Sequence, residues 1–236
     1  MSSINLFCLP FAGGNKYSYR NYEKIAPDFI NIIPIDLPGR GSRIRETPLT
    51  SMHDMVDDVL MQIKNKLHQP YAIYGHSMGG WLTYLLTKKI VAERLTPPVA
   101  LFITGCGGPS VEITERGRHL LPKDKFIDKL RELGGSPDEI LQNPELIEFF
   151  EPVLRADFEA VDTYIHEDAE PLDIPITVVI GLQEKATYDE AMAWQKETTQ
   201  PVTVRQFPGR HFFIYDFEEE IMKLIIKNLE SNILQL

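Results

Sequence analysis

A chain of 236 residues with 43% hydrophobic side chains and no repeats is expected to fold as one domain, 1–236, around a sizeable core. Its formal net charge of −10 argues against nucleic acid or an anionic membrane surface as the main partner. No apolar run approaches the roughly 18 residues of a membrane span, and the first residues lack the basic start of a secretory signal. Cys8 and Cys106 lie far apart in separate apolar runs and read as free thiols, which suits a cytoplasmic protein.

Taken in chain order, Ile4–Leu9 reads as a strand, followed by the loop Pro10-Phe11-Ala12-Gly13-Gly14 and a helix around Tyr19–Ala26. A second strand, Asn31–Leu37, ends at Pro38-Gly39-Arg40-Gly41. Ser51 can cap a helix reaching about Leu67, with Met52, Met55, Val56, Val59, Leu60 and Ile63 on one face. Tyr71–Tyr74 is a strand, and a helix to about Glu93 follows the glycine-rich turn after it. Val99–Thr104, Ile176–Ile180 and Val202–Phe207 are further buried strands, and a closing helix spans about Phe217–Ile233. Short apolar strands alternating with helices predict an α/β fold with a mostly parallel sheet covered on both faces.

The stretch from about 112 to 168 breaks that alternation. It holds no strand signal, while Phe126, Ile127 and Leu130, then Leu146 through Phe158 and Val161, repeat at helical spacing. A helical insertion at this point is either a lid over the C-terminal edge of the sheet or a purely structural subdomain. Gly134-Gly135 between its helical stretches is either a hinge or a helix end.

Gly75-His76-Ser77-Met78-Gly79 stands between a strand and a helix, the arrangement of a nucleophile elbow. The bare pentapeptide arises by chance in roughly one chain in ten to twenty of this size; the flanking elements raise it above that. Gly75 and Gly79 are expected where backbone passes closely, and the following helix directs its N-terminal amides toward Ser77. A serine hydroxyl needs a base oriented by a third group, in the chain order Ser, acid, His.

Of six histidines, His211 lies in the loop Phe207-Pro208-Gly209-Arg210-His211-Phe212-Phe213, after the last strand and before the closing helix, where that base belongs. His76 lies inside the elbow and is expected to point away from the base position. His53 and His68 sit on or beside a helix, and His119 and His166 lie in the insertion. For the acid, the loop after Ile176–Ile180 offers Glu184, Asp189 and Glu190. Thr187 and Glu190 read as a capping box with Asp189 in the first turn, so both carboxylates have structural explanations. Glu184 has none and is favoured, with Asp189 the alternative; Lys185 reads as a solvated neighbour. An oxyanion hole requires two amides. The Met78 N–H is one, and Phe11 or Ala12 supplies the other, with Ala12 preferred.

Four motifs occur together in order: Cys8-Leu9-Pro10-Phe11-Ala12-Gly13-Gly14, Leu37-Pro38-Gly39-Arg40 with Arg43 and Glu46 behind it, Gly75 through Gly80, and Phe207 through Phe213. Jointly they resemble the type II thioesterases of nonribosomal peptide and polyketide synthases, members of the α/β-hydrolase superfamily, over about Leu6 to Phe213. The resemblance implies Ser77 as nucleophile, His211 as base, and Ala12 and Met78 as oxyanion donors. The family commonly carries aspartate where this chain has Glu184, and glycine where it has Arg210. The implied activity is hydrolysis of acyl groups from the phosphopantetheine arm of acyl or peptidyl carrier proteins, clearing misprimed or stalled modules. No resident cofactor or metal is implied, and a monomer is expected. Neither glycine-rich stretch has a phosphate-binding spacing. Another serine hydrolase, such as a carboxylesterase or acyltransferase, and a non-catalytic binding module are the competing readings. Arg40, Arg43 and Arg45 either receive an acidic partner or the pantetheine phosphate, or pair with Glu46 and other acids to hold their loop.

Overall fold

The computed structural model describes residues 3–134 and 141–233, with the side chains of 232 and 233 left aside. Its centre is a six-stranded sheet, β1 (Ile4–Leu9), β2 (Ile30–Pro34), β3 (Tyr71–His76), β4 (Leu101–Thr104), β5 (Ile176–Gly181) and β6 (Thr203–Phe207), in the spatial order β2-β1-β3-β4-β5-β6. Every neighbouring pair is parallel. The helices are α1 (Arg20–Ile25), α2 (Met52–Ile63), α3 (Met78–Ala92), α4 (Lys123–Leu133), α5 (Pro144–Thr163), α6 (Tyr188–Met192) and α7 (Glu218–Ile233).

The inner strands β1, β3, β4 and β5 are buried along their whole length, which is why they read as continuous apolar runs. The edge strands β2 and β6 are partly exposed, so Val202–Phe207 is not the buried strand expected. In β1 and β3, Phe7, Leu9, Tyr71 and Ile73 join a core with α2, α3 and Trp194. Ile4, Leu6, Cys8, Ala72 and Tyr74 join a second core with α1 and α7 on the opposite side. This two-residue alternation sends successive side chains to opposite faces, and each fully buried aliphatic contributes about 1.5–3 kcal/mol.

Several boundaries depart from the sequence reading, among them β3, which runs two residues further than expected, to His76. The second strand stops at Pro34 instead of Leu37: proline has no amide to donate, and as an edge strand β2 needs a partner only in β1. The helix capped by Ser51 ends at Ile63, and Lys64–Lys66 close it as a tighter 3-10 turn. The fourth strand begins at Leu101, after Pro97-Pro98, and not at Val99.

The strand order places the future site. After β2 the chain returns to the other side of β1, so β1 and β3 lie side by side where the direction of winding reverses, and ligands of such sheets bind beyond the strand ends at this point. The loop after β1 and the turn after β3 therefore emerge together, while β5 and β6 deliver their loops as neighbours on the same edge. Between β4 and β5 the described residues hold helices and no strand. There α4 and α5 share a small core of Phe126, Leu130, Leu141, Ile147, Leu154 and Phe158. Gly134 ends α4 in the left-handed conformation, φ 74°, which favours the helix-end reading of that position; Gly135 lies outside the described residues. No helix among the described residues is long and apolar enough to cross a membrane.

Candidate active site

Ser77 occupies a sharp turn with φ 55° and ψ −120°, a backbone conformation that side chains rarely adopt. Its amide donates to the Thr104 carbonyl at 2.7 Å, and its side chain caps no helix, so the hydroxyl remains free to project. The flanking glycines are required by contact: a Cβ on Gly75 would lie 2.0 Å from the Gly79 carbonyl oxygen, and one on Gly79 2.6 Å from that of Leu9.

From the end of β6, His211 brings Nε2 to 3.0 Å from Ser77 Oγ. Its Nδ1 lies 2.9 Å from Glu184 Oε2, on the loop after β5. Glu184 is held in turn, because the Gly181 amide donates to its Oε1 at 2.6 Å and its side chain is 1% exposed. Both carboxylate oxygens thus accept an N–H. Asp189 is exposed in the first turn of α6, beside the reciprocal Thr187–Glu190 capping box that the sequence predicts. The structure therefore brings Ser77, His211 and Glu184 together and leaves Asp189 outside.

His76 lies closer to the site than expected. It is fully buried with its ring centroid 4.8 Å from that of His211, and its Nδ1 is 3.0 Å from Thr104 Oγ1. Burial first, then the neighbouring His211, hold its imidazole well below the ordinary histidine range. His76 therefore stays neutral when His211 takes a proton. The native state refuses a proton that the unfolded chain accepts near pH 6.5, so this contribution to stability is intact above that pH and lost as pH falls below it. Between pH 7.5 and 5.5, urea unfolding of His76→Gln should show a shallower acid-side loss than wild type, by up to about 1.4 kcal/mol per pH unit; equal slopes would mean that His76 titrates normally.

Ala12 and Met78 both line a cavity of about 660 Å³ that opens on Ser77 and His211. Among the described residues neither amide donates to any acceptor, which leaves both available to a developing oxyanion. Apolar walls come from Trp81, from Leu130 and Leu133 of α4, and from Leu154, Phe158 and Val161 of α5. Both cysteines are free, Cys8 buried and Cys106 at the cavity wall. Burial, then the Glu184 charge, push the Cys106 thiol up, so it is protonated and a poor rival to Ser77.

The structure favours the ion-pair reading of the arginine loop and corrects the reading of Lys185. Arg40 is buried and grips Asp157 of α5 through both terminal nitrogens, at 2.7 and 2.6 Å. Arg43 pairs with Glu46 and Asp58. The arginine loop is thus held by ion pairs, and Arg45 alone of the three stays exposed. Lys185 is more than a solvated neighbour, since it pairs with Glu115 at 2.8 Å and Glu132 at 3.0 Å and ties the acid loop to the helical segment. Arg210 is exposed on the cavity wall, without an ion-pair partner among the described residues. The sequence reading passed over Asp157, although a carboxylate on the apolar stripe Leu154, Phe158, Val161 was a visible signal.

Comparison with known proteins gives the family of the chain. Residues 4–229 match the thioesterase domain family. The gramicidin S biosynthesis protein GrsT of Aneurinibacillus migulanus is 34% identical over 229 residues, 97% of this chain and 90% of that protein. Among solved structures, ClbQ from the colibactin NRPS/PKS pathway superposes with a TM-score of 0.94 at 32% identity, covering all of both chains. The type II thioesterase BorB from the borrelidin biosynthetic cluster gives 0.88 at 28% identity, over 96% of this chain and 93% of that one. On an α/β-hydrolase fold and over nearly its whole length, the chain belongs to the thioesterase domain family.

Proposed function

We propose that this protein is a type II thioesterase that hydrolyses acyl groups from the phosphopantetheine arm of carrier proteins, regenerating misprimed or stalled nonribosomal peptide or polyketide synthase modules. The observation that carries the reading is the hydrogen-bonded line Ser77–His211–Glu184 opening onto an apolar-walled cavity. Ser77 Oγ attacks the thioester carbonyl as His211 Nε2 takes its proton, and the Ala12 and Met78 amides receive the oxyanion. Glu184 keeps Nδ1 protonated, so that Nε2 presents its lone pair to the serine. Collapse breaks the C–S bond, and His211 passes the serine proton to the departing pantetheine thiolate, a good leaving group. The neutral imidazole then takes a proton from water, which attacks the acyl-serine, and returns that proton to Ser77 Oγ as the acid is freed.

The residues at about 112–168 act as a lid in this reading, supported by the cavity walls that α4 and α5 supply. The single domain 1–236 works as a cytoplasmic monomer without a resident cofactor, the phosphopantetheine arriving with the substrate. With acyl groups of equal length, kcat/KM should be higher for the carrier-protein thioester than for a simple oxygen ester. Preference for the oxygen ester would instead make the protein a general carboxylesterase.

A further inference from the structure

The carboxylate of Asp157 is fully buried on α5, where a lone charge would be prohibitively costly. Oδ1 accepts from Arg40 Nη2 at 2.6 Å, and Oδ2 accepts from both Arg40 Nη1 and the Gly13 amide at 2.7 Å. Arg40 Nη1 also approaches the Gly14 carbonyl at 3.4 Å. One carboxylate of the helical segment thus holds the loop that follows β1.

The form of that loop makes the contact consequential. The Gly14 amide donates to the Phe11 carbonyl at 2.8 Å, closing a four-residue turn with Ala12 and Gly13 at its centre. Gly13 has φ 76°, the value a type II turn requires at its third residue. Such turns have one soft coordinate, a flip of the central peptide plane that converts type II into type I. The Gly13 N–H belongs to that central peptide, and Asp157 is its acceptor. Ala12, which lines the cavity, is the residue whose backbone would absorb the flip. Leu154, one turn before Asp157, presses on the same place: a Cβ on Gly13 would lie 2.5 Å from its Cδ2.

We propose that Asp157, clamped by Arg40, is a positioning residue for the oxyanion hole, pinning the central peptide of the Phe11–Gly14 turn so that the Ala12 amide stays aimed at the reacting carbonyl. This rests on the reading of Ser77 as nucleophile and of Ala12 as oxyanion donor. It makes α5 both a wall of the acyl cavity and a structural partner of the catalytic loop. Ground-state binding depends little on the oxyanion donors, so the loss falls on steps that pass through a tetrahedral centre.

The test compares wild type with Asp157→Asn and with the double variant Arg40→Met/Asp157→Leu. The single change leaves Arg40 buried without a counter-charge and can fail to fold. The double change removes both charges together, a replacement that buried ion pairs commonly tolerate. An alkyl boronic acid, which forms a tetrahedral adduct with an active serine, serves as the transition-state probe. The folded double variant should lose about 10- to 100-fold in kcat and a similar factor in boronate affinity, with KM within about twofold of wild type. A folded double variant that keeps kcat and boronate affinity within about twofold overturns the proposal, as does a loss confined to KM. Wild type that neither binds the boronate nor reacts with a fluorophosphonate would instead sink the nucleophile assignment itself, so the two failures are distinguishable.

Discussion

Ser77→Ala should lower kcat on an acyl-carrier thioester by at least about four orders of magnitude, with KM and thermal stability little changed. The reason is local. Alanine removes the Oγ that lies 3.0 Å from His211 Nε2 and nothing else, since the Ser77 side chain caps no helix. The strained backbone at φ 55° is paid for by the Ser77 amide bond to Thr104 and by the close passage of Gly75 over Gly79, and neither involves the side chain. The acyl cavity stays whole, so the variant should bind acyl-carrier substrate and hold it unhydrolysed. Steady-state turnover on thioesters of graded acyl length, with fluorophosphonate labelling alongside, measures the effect. Residual turnover above about one per cent of wild type would show that another group attacks the thioester.

The second large effect separates two carboxylates. Glu184→Gln should reduce kcat by about a thousandfold or more, while Asp189→Asn should stay within about twofold. Both oxygens of Glu184 accept N–H groups, one from His211 Nδ1 and one from the Gly181 amide. A glutamine offers one oxygen and one NH2, so in either orientation a donor meets a donor. With the NH2 toward His211, the imidazole shifts its proton to Nε2 and can no longer receive the serine proton. With the NH2 toward Gly181, the loop that holds the acid is pushed open. Asp189 is exposed in the first turn of α6 and has no such partners among the described residues. Kinetics of the two variants at matched pH decide the matter, and a larger loss in Asp189→Asn would move the assignment.

How far the sequence could be read depends on whether the physics was local. The four inner strands were legible because strands buried on both faces must be apolar throughout, and the α2 face because helical spacing exposes it. The elbow was legible because strand, close-packed glycines and helix are contiguous. The order Ser77, Glu184, His211 followed the chain order expected of a serine nucleophile in such a fold, and the capping box favoured Glu184 over Asp189 without excluding it. Where strands end was less legible, as Pro34 shows, because a missing amide matters only once the neighbouring strand is known.

The roles of Arg40, Arg43, Lys185 and His76 were beyond local reading. A cluster of arginines after a strand looks the same whether it faces solvent or grips buried acids; the partner 117 positions away, Asp157, decides. Lys185 looked solvated until the helical segment brought Glu115 and Glu132 to it. His76 came to rest against His211 because β3 and β6 deliver their ends to one edge. The elements, the turn at Ser77 and the chemical types around it could be read locally, since these depend on neighbours a few residues apart. The packed fold settled which charges are spent on holding the loops and turned the preference for Glu184 into a contact with His211. Those outcomes depend on groups that the chain brings together from far apart, where burial makes an unpaired charge too costly to leave.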